Sequence, residues 1–389
     1  ESTLETRLGR HVDQQLADLG RLLWFDTITG LNGDNTCGGC HSPTNGFGDT
    51  QPIAIGIDSN RVVGPHRSGP RNMRRAPMVI NTAFFPALMW NGRFAALSGD
   101  PFRNSQGFQF PPPEALSLSY QPHLLVAQAF IPPTERTEAA GFAVPGDNDA
   151  LRAAVVARLN ASAAYRKLFA KSFGEVKPGA PITFDMLGRA IAEFEFTLTF
   201  ANAPLDEYAR GNLSALTADE KQGALLFFGA AGCVACHAVG RASNEMFSDF
   251  GEHAVGTPQL VAQVANVTFD GPEANEDFGL EQVTANPADR YKFRTAPLRN
   301  IALQPAFMHD GAFTNLRDAI RYHINPVAGA ASYSPQAQGL PPDLAGAIAP
   351  LAPILAQLDP CLSAPAPLSD AEIDQLAVFV GHGLLDPRA

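Results

Sequence analysis

Two pentapeptides in this sequence have the composition to hold an iron porphyrin: CGGCH at 37–41 and CVACH at 233–237. The chemistry requires that order of residues. Two thiols separated by two residues can add to the two vinyl groups of a porphyrin, and the imidazole that follows at once falls beneath the metal as an axial ligand. A single copy also fits a redox dithiol or a zinc knuckle. Two copies in one chain point instead to two covalently bound c-type haems, one at Cys37, Cys40 and His41 and one at Cys233, Cys236 and His237. Zinc shared between the pairs is disfavoured, because structural zinc sites draw their cysteine pairs from a short stretch, whereas Cys40 and Cys233 lie in opposite halves of the chain. The fifth cysteine, Cys361, sits in a Pro-rich loop and reads as a buried or inert free thiol.

The elements that must present these motifs repeat with them. Before the first pair, VDQQLADLGRLLWFD places Leu16, Leu19, Leu22 and Leu23 at helical spacing. Before the second, LTADEKQGALLFF opens with Thr217 and, three residues on, Glu220, the pattern of a capping box. A helix followed by C-x-x-C-H thus occurs twice. ITFDMLGRAIAEFEFTLTF (182–200) reads as a long, largely buried helix, and LSDAEIDQLAVFVGHGLL as a capped amphipathic helix starting near Ser369. Strand-like alternation is scarce, and QGFQFPPPEA (106–115) and the region 325–368 are rich in Pro and Gly. The expectation is an all-α protein of two cytochrome c-like domains, 1–210 and 211–389, each with one haem.

Composition narrows the partners. A chain of 389 residues can bury its own core without disulfide staples. Its 28 basic and 39 acidic residues give a formal charge of -11, which excludes the clustered positive charge that nucleic acid requires. No apolar run reaches the roughly 18 residues of a membrane-spanning helix. The opening at Glu1, with no charged-then-apolar leader, suggests a mature exported protein whose signal peptide has been removed, hence a periplasmic one.

Between and around the haem motifs the sequence resembles the bacterial dihaem cytochrome c peroxidases and their relative MauG. LGRLLWFD, MWNGR at 89–93, LRNIAL at 298–303 and MHDGAF at 308–313 stand in that family's order, from about Leu19 to Leu384. The resemblance implies an N-terminal haem that reacts with hydrogen peroxide and a C-terminal haem that stores and passes electrons. In AQAFIPPTERTEAAGF, the residues Gln128, Pro132 and Glu138 match the family's Q-x3-P-x5-E pattern on the open face of the peroxidatic iron. Glu138 is then the catalytic base, since cleavage of the O–O bond needs a proton taken from one oxygen and returned to the other. Glu114 in PPPEAL is a competitor that lacks the preceding Gln, and the chain carries an insertion between Trp90 and Gln128 relative to the peroxidases. Trp90, in the W-x-G-R setting, is placed between the haems as an oxidisable relay; ordinary core packing is its other reading.

Two departures from the peroxidases shape the expected function. Where those enzymes place a His sixteen residues after the haem-binding His, this chain has Ile57, which cannot ligate iron, so the first haem is expected to be five-coordinate; His66 is the nearest substitute. Fourteen residues beyond His309, where the family has Met or, in MauG, Tyr, stands His323, with Tyr322 and Met308 as alternatives. Imidazole in place of thioether lowers the reduction potential and favours oxidised iron. The family's interdomain calcium would draw carbonyls from Gln304 and Ala306, but its side-chain amide position reads Arg75, leaving waters or a neighbour such as Asn81, so Ca2+ stays unassigned. The resemblance therefore implies a MauG-like enzyme that uses hydrogen peroxide to oxidise a Trp or Tyr of a partner protein through a high-valent dihaem state, compatible with the methanobactin-associated branch. The alternative is a dihaem cytochrome c peroxidase fed electrons by a small redox protein, and a non-catalytic electron carrier comes third.

Overall fold

The computed structural model describes residues 3–110, 114, 116–177, 179–240, 243–363 and 367–389. Its N-terminal half holds α1 (Leu4–Leu8), α2 (Gln14–Phe25), α3 (Cys37–Cys40), α4 (Leu124–Gln128), α5 (Asn148–Ala161), α6 (Ala163–Ser172) and α7 (Phe184–Thr197). After α8 (Pro204–Ala209) come α9 (Ala218–Phe228), α10 (Glu281–Thr284), α11 (Leu316–Ile324), α12 (Pro326–Ser332), α13 (Leu351–Ala356) and α14 (Asp370–Val378). The expected caps at Thr217 and Ser369 are realised, and Asp13 adds one the sequence reading did not name. Asp13 accepts from the amides of Gln15 and Leu16 at the start of α2. Thr217 and Glu220 form the capping box of α9, and Ser369 with Glu372 forms that of α14. Each such cap satisfies amide donors that the first helical turn leaves orphaned.

The repeat seen in the sequence is a repeat in space. In the first half α2 crosses α7 at Gly20, where a Cβ would lie 1.9 Å from the carbonyl oxygen of Ala190. In the second half α9 crosses α14 at Gly223, where a Cβ would lie 2.1 Å from that of Gln375. Only glycine permits either approach. The aromatic residue four positions on faces the haem-motif His each time: Trp24 against His41 at 5.8 Å between ring centroids, Phe227 against His237 at 6.4 Å. Of the apolar residues on α2, Leu22 is exposed rather than packed, as is Phe25, and α9 exposes Leu225 and Phe228.

The all-helical expectation needs correction. Ala87–Leu88, Phe94–Ala96 and Phe108–Gln109 (β1 to β3) form an antiparallel sheet, and Glu252–His253 pairs with Phe293–Arg294 (β4 and β5). Strands of two or three residues are too short for an alternating pattern to register in sequence. Their effect is local: β1 and β2 flank the MWNGR turn, in which Met89 and Gly92 both take positive φ (65° and 64°).

The two halves interlock. The main core runs from Leu4 to Leu198 but takes in Met246 and Phe250, and Ile53 joins a core otherwise built from residues 260–344. Partly buried ion pairs cross between them, Arg74 to Asp277 through two bonds of 2.6 Å and Arg71 to Asp343 through bonds of 2.6 and 3.0 Å. Among the described residues no helix is long and apolar enough to cross a membrane.

Candidate functional site: two cavities and a shared wall

Each C-x-x-C-H segment opens onto a cavity, of about 360 Å³ at the first and about 390 Å³ at the second, within the range of cofactor sites. At the first, Thr36 caps α3 through the amide of Gly39, and the backbone N–H of His41 donates to Cys37. The His41 Nδ1 lies 3.2 Å from the carbonyl of Phe47, which leaves Nε2 for a metal, and burial lowers its pKa and keeps the ring neutral, as ligation requires. Cys37 and Cys40 line the same space.

Gln128, Pro132 and Glu138 all line this first cavity. Glu138 lies in a π-turn, Arg136–Ala140, whose carbonyls are pinned in succession. The carbonyl of Thr137 accepts from the Ile57 amide (3.0 Å) and from Asn266 (3.1 Å), that of Glu138 from Asn35 (2.7 Å), and that of Ala139 from the Asn32 amide (3.1 Å). Arg67 in turn holds the Asn35 side-chain oxygen at 2.7 Å. Burial, with a smaller push from the Glu135 carboxylate, raises the Glu138 carboxyl to about 7, against a partial offset from Arg93.

The competing residues go elsewhere. Glu114 is consumed by Arg152 at 2.5 Å and Asn148 at 2.6 Å, away from the cavity. His66 is solvent-exposed, so His41 is the sole imidazole among the described residues lining the first cavity. Ile57 is buried behind the Glu138 loop, bracing it rather than facing the cavity. One cavity residue escaped the sequence reading: Glu195 on α7, 4% exposed, with Oε2 unpartnered among the described residues and a carboxyl raised to about 8 by burial. Its position one turn after Ile191, on the face turned to the cavity, was its one available signal.

His237 and His323 both line the second cavity. Burial, and next the charge His323 would carry, push the His237 pKa down to about 4, and burial lowers that of His323. Each ring has Nδ1 at a backbone carbonyl, Phe247 at 3.0 Å and Ala319 at 2.8 Å, so both Nε2 atoms are free. Of the alternatives, Met308 lines this cavity, whereas Tyr322 is buried in the neighbouring core with its hydroxyl on the carbonyl of Gly256. Cys361 is exposed, not buried, and its Sγ stands 4.0 Å from that of Cys236. Sequence order hid this pairing because 125 residues separate the two.

Trp90 lines both cavities, as do Arg75 and Arg294. The indole N–H donates to the carbonyl of Arg75 at 2.9 Å, and the Trp90 carbonyl accepts from the Arg294 amide at 2.7 Å, so the ring is held from two sides in the shared wall. Asn81, considered as a calcium ligand, spends its amide on the backbone of Phe200 (2.7 and 2.8 Å).

Two cavities, each with a thiol pair and a neutral imidazole whose Nε2 is free, joined by a wall that contains an indole, define a dihaem redox protein; the donor set fits one haem in each. The comparisons with known proteins agree. The family model for di-haem cytochrome c peroxidase matches residues 14–214. The chain is 30% identical to the methylamine utilization protein MauG of Methylorubrum extorquens over 79% of its length and 67% of that protein's. It is 29% identical to the cytochrome c551 peroxidase of Pseudomonas aeruginosa, over 85% of this chain and 77% of that one. Among solved structures, a MauG-like protein associated with microbial copper homeostasis superposes with a TM-score of 0.66 at 25% identity, over 97% of this chain and 91% of that one. The dihaem peroxidase BthA from Burkholderia thailandensis shares the fold with the same TM-score at 21% identity, over 97% and 87%. This chain belongs to the di-haem cytochrome c peroxidase family and is a peroxidase-type oxidoreductase.

Proposed function

We propose that the chain is a MauG-like enzyme that uses hydrogen peroxide to oxidise a Trp or Tyr side chain of a partner protein. One haem is held through Cys37, Cys40 and His41 in a domain spanning 1–210, and the other through Cys233, Cys236 and His237 in a domain spanning 211–389. The observation that carries the reading is that His237 and His323 both line the second cavity, each with Nδ1 at a backbone carbonyl, which leaves Nε2 for a metal. Two imidazoles favour the oxidised metal more than an imidazole and a thioether do. The first cavity supports it, since no imidazole among its described lining residues opposes His41 and the open face is left to the substrate.

When bound, the haems supply one iron that receives peroxide and one that stores and passes electrons. The chain's residues do the rest. Glu138, with a pKa near working pH, takes the proton from the near oxygen of peroxide and returns it to the far one, which leaves as water. Gln128 and Pro132 shape the space in which this happens. Trp90 gives the two sites a common wall through which charge passes. Peroxide takes up two electrons and two protons to become two water molecules, and the electrons come from the partner's aromatic side chain. The same reading places the protein in the periplasm.

The deciding experiment mixes diferric holoprotein with stoichiometric hydrogen peroxide in a stopped-flow spectrometer, followed by a steady-state assay with a reduced small cytochrome. The expected result is reaction without prior reduction, slow cytochrome turnover, and, as in MauG, a near-infrared absorption band that weakens in Trp90→Phe. Inertness until one electron is added, with rapid cytochrome turnover, would instead make this a cytochrome c peroxidase.

A further inference from the structure

Arg75 is 3% exposed and lies in the wall common to both cavities. Its amide donates to the carbonyl of His309 at 2.9 Å, and its own carbonyl takes the Trp90 indole N–H. Its Nη2 donates to the carbonyl of Asp49 at 3.2 Å and to the Gln304 side-chain oxygen at 3.0 Å. The Gln304 amide is built to receive it. Its Nε2 donates to the carbonyl of Asn45 at 2.6 Å, which turns Oε1 towards Arg75, and it lies on Gly48, where a Cβ would come within 2.4 Å of that oxygen. Among the described residues no carboxylate forms an ion pair with Arg75 and its Nη1 has no partner. Burial brings the guanidinium down only to about 10, with Asp49 and Asp310 opposing the shift, so it is a cation at every physiological pH.

We infer that the Arg75 guanidinium is the resident cation of the wall between the two haem sites, and that the chain holds no calcium there. A hard divalent cation needs six or more oxygen ligands. The Gln304 side-chain oxygen and the Asp49 carbonyl already accept N–H donors, Arg75 stands where the resemblance places the side-chain amide ligand, and its permanent positive charge in the wall it shares with Gln304 and Ala306 repels a second cation. With directed N–H bonds the Arg75 guanidinium does what a divalent ion would do with oxygen ligands, tying residue 49 to residue 304, while the backbone carbonyl of the same residue accepts the Trp90 indole N–H. It is a positioning residue whose charge acts on both haem sites. This rests on the family assignment and not on the choice between the two enzymatic roles.

The test uses holoprotein. After dialysis against a chelator, elemental analysis should find no stoichiometric calcium, and neither chelator nor added calcium should move the thermal midpoint or either haem's reduction potential. Arg75→Gln removes a buried positive charge from beside both sites. Spectroelectrochemical titration should therefore show both midpoint potentials lowered, with Arg75→Lys restoring them at least in part. Calcium retained at one ion per chain, or a chelator-induced fall in the thermal midpoint, overturns the inference without any variant having to fold. Unchanged potentials in Arg75→Gln overturn it as well.

Discussion

Replacement of Glu138 by Gln keeps the side chain's size and its place in the pinned turn, and removes only the group that can take and return a proton. With a carboxyl at about 7, the base form makes up about one tenth of the protein at pH 6 and about nine tenths at pH 8. The second-order rate of reaction between diferric holoprotein and peroxide should therefore rise about tenfold over that interval, because the carboxylate is the form that accepts the proton. An ordinary carboxyl near 4.5 would give a flat profile over the same range. Glu138→Gln should lower the rate at pH 7 by about 10²-fold or more and abolish the slope, with haem content unchanged. The assay is stopped-flow absorbance at several pH values, with peroxide in excess. Glu195 supplies the refuting result, since its carboxyl lies at about 8 in the same cavity. A profile centred near 8 that survives Glu138→Gln and disappears in Glu195→Gln would show that the wrong carboxyl has been given the role.

Three further outcomes follow from the same geometry. Low-temperature EPR of the resting diferric protein should show one high-spin, five-coordinate haem and one low-spin haem, because His66 is exposed and the first cavity offers no second imidazole among its described residues; two low-spin signals would contradict this. His323→Met should raise the second haem's potential and alter its low-spin spectrum, whereas Tyr322→Phe should leave both unchanged and cost about 1–3 kcal/mol of stability in a denaturant titration, the price of orphaning a buried carbonyl. Glu114→Gln should also destabilise, by about 1–3 kcal/mol, since it breaks the pair with Arg152, while the peroxide rate stays at the wild-type value; a slowed reaction with normal stability would return Glu114 to the candidates.

Much of the site was legible because its chemistry is local. A haem-attachment motif must present its thiols and imidazole within five consecutive residues, so each copy is visible in the sequence and the second copy resolves what one alone leaves open. The caps at Thr217 and Ser369 are equally local and appear as expected. What failed was of another kind. Leu22 fits a helical stripe yet is exposed to solvent. Glu114 and Glu138 sit in loops of similar composition, and no periodicity separates a carboxyl bound to Arg152 from one turned into a cavity.

From the sequence alone come the number and type of haem motifs, the helices that precede them and the order of landmarks that marks the family. These depend on contiguous residues and on backbone propensity. The tertiary structure alone decides which groups share a space. It brings His323 into one cavity with His237 and Cys361 beside Cys236, and sets Trp90 and Arg75 in the lining of both cavities. It also gives Glu138 and Glu195 pKa values that no model peptide has. The physical reason is that ligation, charge transfer and desolvation act through space over a few ångströms, and the chain reaches those distances only by folding distant segments together.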